Sequence, residues 1–267
     1  MPFIQANTHR LHYTDSHPTG PPDANGLTFI FIHGLGSSEN YYFAVLPHLT
    51  SKHRCITIDT YGSARSTYTN DTISIPGIAA DAIGVLDALN IPKAVVVGHS
   101  MGGLTVTEIG SGYPDRVVGI VAIGPTHPSE MLGSVMGKRA ETVLEAGMAP
   151  MAESIPSAAV GSGSTPLHKA FIRELLLGQD PKGYAALCRA LSTAQPANYA
   201  AVQAPFLLLA GEEDKSAPMA GCQHIFEHVS SKSKSLEVLK GVGHWHCIEA
   251  PDEVGSLIAK FADDISA

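Results

Sequence analysis

Residues Val95–Leu104 read VVVGHSMGGL. Three β-branched residues, the composition of a buried strand, run into Gly98, His99 and Ser100, and then into Met101, Gly102 and Gly103. The stretch reads as a strand, a sharp turn with one hydroxyl at its tip, and a helix over Leu104–Tyr113 that stops before Pro114. A turn this tight forces the serine into a strained backbone conformation and crowds what surrounds it. Gly98 and Gly102, two residues to either side, remove the Cβ atoms that would block the approach of strand and helix. The glycines serve the serine.

Outward from this stretch, short apolar runs alternate with helical patterns, as in a mostly parallel sheet covered by helices. Strands are predicted at Phe3–Ala6, Arg10–Tyr13, Leu27–Ile32, Cys55–Asp59, Ala94–Val97, Val117–Ile123, Phe206–Ala210 and Leu236–Leu239. The inner ones are apolar throughout, as strands buried on both faces should be. The first two carry polar residues at every second position and read as an edge hairpin. Helices are expected at Tyr41–Leu49, Ile75–Leu89, Leu104–Tyr113 and Asp252–Phe261. From Thr126 to Gln203 no strand is evident; helical patterns at Met131–Ala146, Leu167–Leu177 and Pro181–Ser192 flank SAAVGSGSTP, which reads as a flexible joint. The expected organisation is therefore a core of residues 1–125 and 204–267 with a helical cap, 126–203, inserted into it. Met131, Met136, Met148 and Met151 of the cap are candidates for an adaptable apolar pocket, or for plain helix packing.

A bare serine hydroxyl is a poor nucleophile; it needs a base, and the base needs an orienting carboxylate. LLLAGEEDKSAP offers Glu212, Glu213 and Asp214 directly after a predicted strand, and LKGVGHWHCIEAP offers His244 or, two residues on, His246. Strand spacing favours His244. His33 and His99 lie beside these segments and read as structural groups. No spacing of His or Cys suggests a metal site, so neither metal nor cofactor is expected.

Taken together these segments resemble the α/β-hydrolase fold family, most closely its capped 3-oxoadipate enol-lactonase-like ester hydrolases, over nearly the whole chain. FIFIHGLGSS is similar to the family's oxyanion loop, IDTYGSARS to its D-x-x-G-x-G-x-S turn, QDPKGYAALCRAL to a cap helix and HWHCIEAP to its histidine loop. Ala64 departs from the pattern, standing where glycine is usual. The resemblance implies a Ser-acid-His order, with Gly211, Asp214 and Pro218 matching GxxDxxxP, and so Ser100 as nucleophile, Asp214 as acid and His244 as base. It also implies that the backbone amides of Leu35 and Met101 receive the oxyanion. The implied reaction is hydrolysis of an ester or lactone of a small, largely apolar substrate through an acyl-enzyme. Carbon–carbon bond hydrolysis of a diketone-like substrate, and a ligand receptor on the same scaffold, stay open; dehalogenation and epoxide hydrolysis, which need a carboxylate nucleophile at position 100, do not. Lys138, Arg139, Arg173 and Arg189 in the cap are candidates to meet a substrate carboxylate, or solvated helix faces. Activity is expected to fall on acidification, since catalysis needs the base in its neutral form.

Composition limits the other possibilities. The chain has 267 residues, 44% hydrophobic, and a formal net charge of −8. A balance this acidic argues against nucleic-acid and anionic-membrane surfaces, which demand clustered Lys and Arg; the nearest basic run, Lys232–Lys240, reads as a solvated turn. The four cysteines, Cys55, Cys188, Cys222 and Cys247, form no CxxC pair and are expected as buried, reduced thiols. MPFIQANTHR has no signal-peptide pattern, and PFLLLAG is far short of the ~20 apolar residues that cross a bilayer. A soluble, cytoplasmic protein with a small-molecule substrate is the expectation; the oligomeric state is left open.

Overall fold

A computed structural model describes residues 2–266. Eight strands form one sheet: β1 (Phe3–Ala6), β2 (His9–Asp15), β3 (Thr28–Ile32), β4 (Arg54–Ile58), β5 (Ala94–His99), β6 (Val117–Ile123), β7 (Phe206–Gly211) and β8 (Lys234–Leu239). Their order is β1-β2-β4-β3-β5-β6-β7-β8. The hairpin of β1 and β2 is antiparallel at one edge, and β2 pairs antiparallel with β4. All pairs from β4 to β8 are parallel. Every residue of β4, β5 and β7 is buried, as expected of parallel strands covered on both faces. β8, at the far edge, alternates partly buried and exposed residues over most of its length.

The helices are α1 (Ile75–Ala88), α2 (Met101–Gly112), α3 (Glu130–Ala146), α4 (Ala149–Ala158), α5 (Pro166–Leu177), α6 (Pro181–Ser192), α7 (Met219–His228), α8 (His246–Glu249) and α9 (Pro251–Ser266). α2 lies against β5 and β6, α1 packs on α2 and β1, and α9 reaches β6 and β7. Between β6 and β7 the chain makes only helices, α3 packing on α6 and α4 on α5.

Three expectations need correction. The helix expected over Tyr41–Leu49 is instead two 3-10 turns, Glu39–Tyr42 and Leu46–His48. The first is capped by the Ser38 hydroxyl, and Pro47 is the middle residue of the second; Tyr41 and Tyr42 bury their rings in the core rather than continuing a regular face. α2 starts at Met101, not Leu104, because the turn at Ser100 leads straight into the helix. The joint read as flexible is not free: α4 occupies its first residues, to Ala158, and its remainder is bound to other loops, as described below. Pro150 and Pro156 mask α4 in the sequence, although the first of them lies in the helix's first turn, where its missing N–H is no loss, and α7 has no counterpart among the expected helices.

Since β3 through β8 run parallel, the segments leaving their carboxyl ends gather along one edge of the sheet. The chain turns to opposite sides after β3 (to β4) and before β5, so a crevice forms there, the usual place for a ligand in such sheets. His33, Asp59, Ser100, Thr126, Asp214 and His244 all follow strand ends on this edge.

Candidate active site

Ser100 follows His99, the last residue of β5, with φ 56° and ψ −113°, a region that non-glycine residues enter only when the surroundings compel it. A Cβ at Gly98 would collide with the Gly102 carbonyl, and one at Gly102 with the Ile32 carbonyl of β3. Both glycines are therefore required by close backbone packing, as the sequence suggested.

Asp214 and His244 meet the serine. His244 Nδ1 donates to Asp214 Oδ2 at 2.8 Å, and its Nε2 lies 2.9 Å from Ser100 Oγ. With the ring proton committed to Asp214, Nε2 is the lone-pair nitrogen and accepts the serine proton. The other Asp214 oxygen, Oδ1, accepts from the amides of Ser216 and Ala217, both at 2.8 Å. Burial pushes the Asp214 carboxyl up, but the charge and hydrogen bond of His244, then the His246 ring and the Ala217 amide, outweigh it and hold the acid well below the usual carboxylate range. Glu212 and Glu213, the other carboxylates of that segment, point elsewhere: Glu212 accepts from Gly241 N and Glu213 from Ser162.

His246 does not reach the serine. Its Nδ1 donates to the His244 carbonyl at 2.9 Å, and His99 Nε2 donates to that same carbonyl at 2.7 Å. Burial pushes the His246 ring down to about 4 and His99 well below the ordinary imidazole value. Two neutral rings thus grip the backbone of His244 from behind. His33 is similarly structural: Nδ1 donates to Gly34 O and Nε2 accepts from Thr60 N, joining the loop after β3 to the turn after β4.

That loop, Gly34–Ser37, packs onto the serine turn: a Cβ at Gly34 would lie 2.9 Å from both His99 Nδ1 and Ser100 Cβ. Leu35 lines the cavity above Ser100, and Met101 N is the first amide of α2, where the helix dipole favours negative charge. The amides of Leu35 and Met101 donate to no acceptor among the described residues. Ala64, the departure from the family turn, sits at φ 45° and its amide donates to Gln179 Oε1 at 3.2 Å.

Glu249 is a residue the sequence reading overlooked, although it lies within HWHCIEAP. Its Oε1 accepts from Trp245 N (2.9 Å) and its Oε2 from Gly243 N (3.1 Å) and Gly161 N (2.7 Å). His244 N itself donates to Ala159 O at 2.8 Å. The carboxylate and the segment after α4 together fix the loop that carries His244.

The serine opens into a cavity of about 520 Å³. Its walls include Met131, Leu132 and Met136 of α3 and Ile155 of α4, with Arg139 and Lys215 as its Lys and Arg side chains. Met148 and Met151 are not among the lining residues, nor are Lys138, Arg173 and Arg189; Arg173 pairs with Glu174 at 3.1 Å. Half of the methionine expectation and one of four cap cations reach the cavity. The four cysteines are free and buried, and burial pushes Cys55, Cys188 and Cys222 up to about 12, which makes them unreactive.

Residues 29–257 match the sequence model of the alpha/beta hydrolase family. The chain belongs to that family. Among its relatives, 3-oxoadipate enol-lactonase 2 of Acinetobacter baylyi is 27% identical over 255 residues, which are 90% of this chain and 93% of the relative. 3-Oxoadipate enol-lactonase 1 of the same organism is 26% identical over 250 residues, 92% and 91% of the two chains. Among solved structures, an esterase from Thermogutta terrifontis superposes with a TM-score of 0.89 at 21% identity, covering 100% of this chain and 99% of that one. An enol-lactonase from Burkholderia xenovorans gives 0.89 at 22% identity, covering 98% and 100%. At these identities the structures show a shared fold. Among the described residues no helix is long and apolar enough to cross a membrane.

Proposed function

We propose that this α/β hydrolase cleaves an ester or lactone bond of a small, largely apolar substrate, with Ser100 as nucleophile, His244 as base and Asp214 as orienting acid. The observation that carries this reading is the unbroken hydrogen-bond chain Asp214–His244–Ser100 opening into an apolar-walled cavity. Ser100 Oγ attacks the carbonyl as its proton passes to His244 Nε2, and Asp214 stabilises the imidazolium. The carbonyl oxygen becomes an oxyanion received by the Leu35 and Met101 amides; each such donor is worth about 10²–10³ in turnover. His244 then protonates the leaving alkoxide, and the acyl group stays on Ser100. Water, deprotonated by the same ring, releases the acid.

The relatives named 3-oxoadipate enol-lactonases support ester or lactone cleavage. We read the helical segment 126–203 as a lid that supplies the cavity's methionine wall.

The test is fluorophosphonate labelling followed by a turnover panel of esters, lactones and vinylogous diketones. Stoichiometric labelling lost in Ser100→Ala, with ester or lactone turnover, is expected. Labelling that persists in Ser100→Ala, or hydrolysis confined to the diketones, would overturn the reading. Within the panel, lactones with a free carboxylate should outperform their methyl esters if Arg139 and Lys215 meet the substrate.

A further inference from the structure

We propose that Thr126 is a further catalytic residue, whose hydroxyl supports the Ser100 oxygen before attack and the leaving oxygen of the substrate during it. The inference rests on the serine-hydrolase reading above.

Thr126 leaves the carboxyl end of β6, is 6% exposed and lines the same cavity as Ser100. Its Oγ1 lies 3.3 Å from Ser100 Oγ, and its amide donates to the Ser100 carbonyl at 3.1 Å, so the backbone sets the spacing of the two hydroxyls. The direction of the side-chain contact follows from the ring of His244. Its Nδ1 proton goes to Asp214, so Nε2 can only accept, and it takes the one hydrogen of Ser100. Between the two hydroxyls Thr126 must therefore be the donor. At 3.3 Å the contact is longer than the ~2.7–2.8 Å of a settled hydroxyl pair. Among the described residues Thr126 Oγ1 has no other partner. It is a buried donor within reach of the reacting oxygen and free to turn.

The sheet order decides where it turns. β5 lies between β3 and β6. The loop bearing Leu35 follows β3, on one side of Ser100, and Thr126 follows β6, on the other. A carbonyl whose oxygen points at Leu35 and Met101 presents its remaining substituents toward the β6 side. The leaving oxygen must also approach His244 Nε2, which is 2.9 Å from Ser100 Oγ, and this brings it beside Thr126.

The Oγ–C bond forms and the C–O bond to the leaving group breaks, while one proton moves from Ser100 to His244 and on to the leaving oxygen. Thr126 keeps its own proton throughout. Its O–H stabilises charge that builds on the leaving oxygen before the His244 proton arrives, so the benefit grows with the basicity of the leaving group.

The test compares acylation rates of wild type, Thr126→Val and Thr126→Ser on an alkyl and a 4-nitrophenyl ester of one acid, read in the pre-steady state. Expected is a loss of about ten- to a hundredfold for Thr126→Val on the alkyl ester, little loss on the nitrophenyl ester, and recovery in Thr126→Ser. Equal losses on the two esters, or no loss, would overturn the proposal. Stoichiometric fluorophosphonate labelling of Thr126→Val separates this from failure of the serine reading, in which wild type itself is not labelled. If the valine variant does not fold, Thr126→Ala measured on the same ester pair decides by the same criterion.

Discussion

Single residues set the tight turns beside the site, and two of them make opposite predictions. Ser100 is held at φ 56°, a conformation costing on the order of 1–3 kcal/mol that survives only because strand, helix and loop close round it without Cβ atoms between them. Gly98→Ala would drive a methyl group into the Gly102 carbonyl, and backbone cannot swing aside as a flexible side chain can. Urea unfolding should show a loss of roughly 1–3 kcal/mol, with fluorophosphonate labelling abolished; a labelled, fully stable alanine variant would contradict the packing described. Ala64 is the reverse case, a Cβ carried at φ 45° where glycine would relax. Its left-handed backbone costs about 1–2 kcal/mol, and glycine's extra chain entropy returns about 0.5–1 kcal/mol of that. Ala64→Gly should therefore raise stability by up to about 1 kcal/mol in the same assay, with no loss of turnover.

At the scale of elements, the strands and the glycine-bracketed serine were legible because their signals are local: an apolar run buried on both faces, and glycines where Cβ atoms cannot fit. The helix after the serine begins three residues before its apolar pattern does, since Gly102 and Gly103 lack helix propensity and are recruited by the turn. What local signals could not show was the binding of the Ala159–Gly163 segment, whose composition suggests freedom. Its partners are remote: Glu249 is 88 residues from Gly161 and Glu213 is 51 from Ser162. Glu213, weighed as a catalytic acid, proves to be part of this tether. The same remoteness hid Glu249, whose carboxylate gathers three amides from the segment after α4 and the histidine loop. Glu249→Gln leaves one oxygen to accept and turns an NH₂ group toward N–H donors, so the loop carrying His244 should lose its register. Turnover is expected to fall about ten- to a hundredfold with KM changed less, because Glu249 itself does not line the cavity. An equal rise in KM at constant kcat would assign Glu249 to substrate binding instead.

Over the whole molecule, the buried histidines make stability depend on pH separately from catalysis. His99, His246 and His33 are buried, and burial lowers all three; the unfolded chain returns them to about 6.5. Between that value and about 4, where His246 protonates in the folded protein, the unfolded state binds more protons than the folded one. Acidification through this window therefore favours unfolding, by up to about 1.4 kcal/mol per pH unit for each such ring. Asp214, held low in the folded state, adds stability above its unfolded value of about 3.9 that is lost only at lower pH still. Urea unfolding at about pH 7.5, 6.5, 5.5 and 4.5 should thus give a free energy that is nearly level at first and then falls steeply below about 6.5. His246→Gln, which keeps an N–H donor for the His244 carbonyl but cannot titrate, should make that fall shallower by one ring's share. A flat profile, or a histidine variant that keeps the full slope, would mean that these rings are not the neutral, water-excluded groups that grip the backbone of His244.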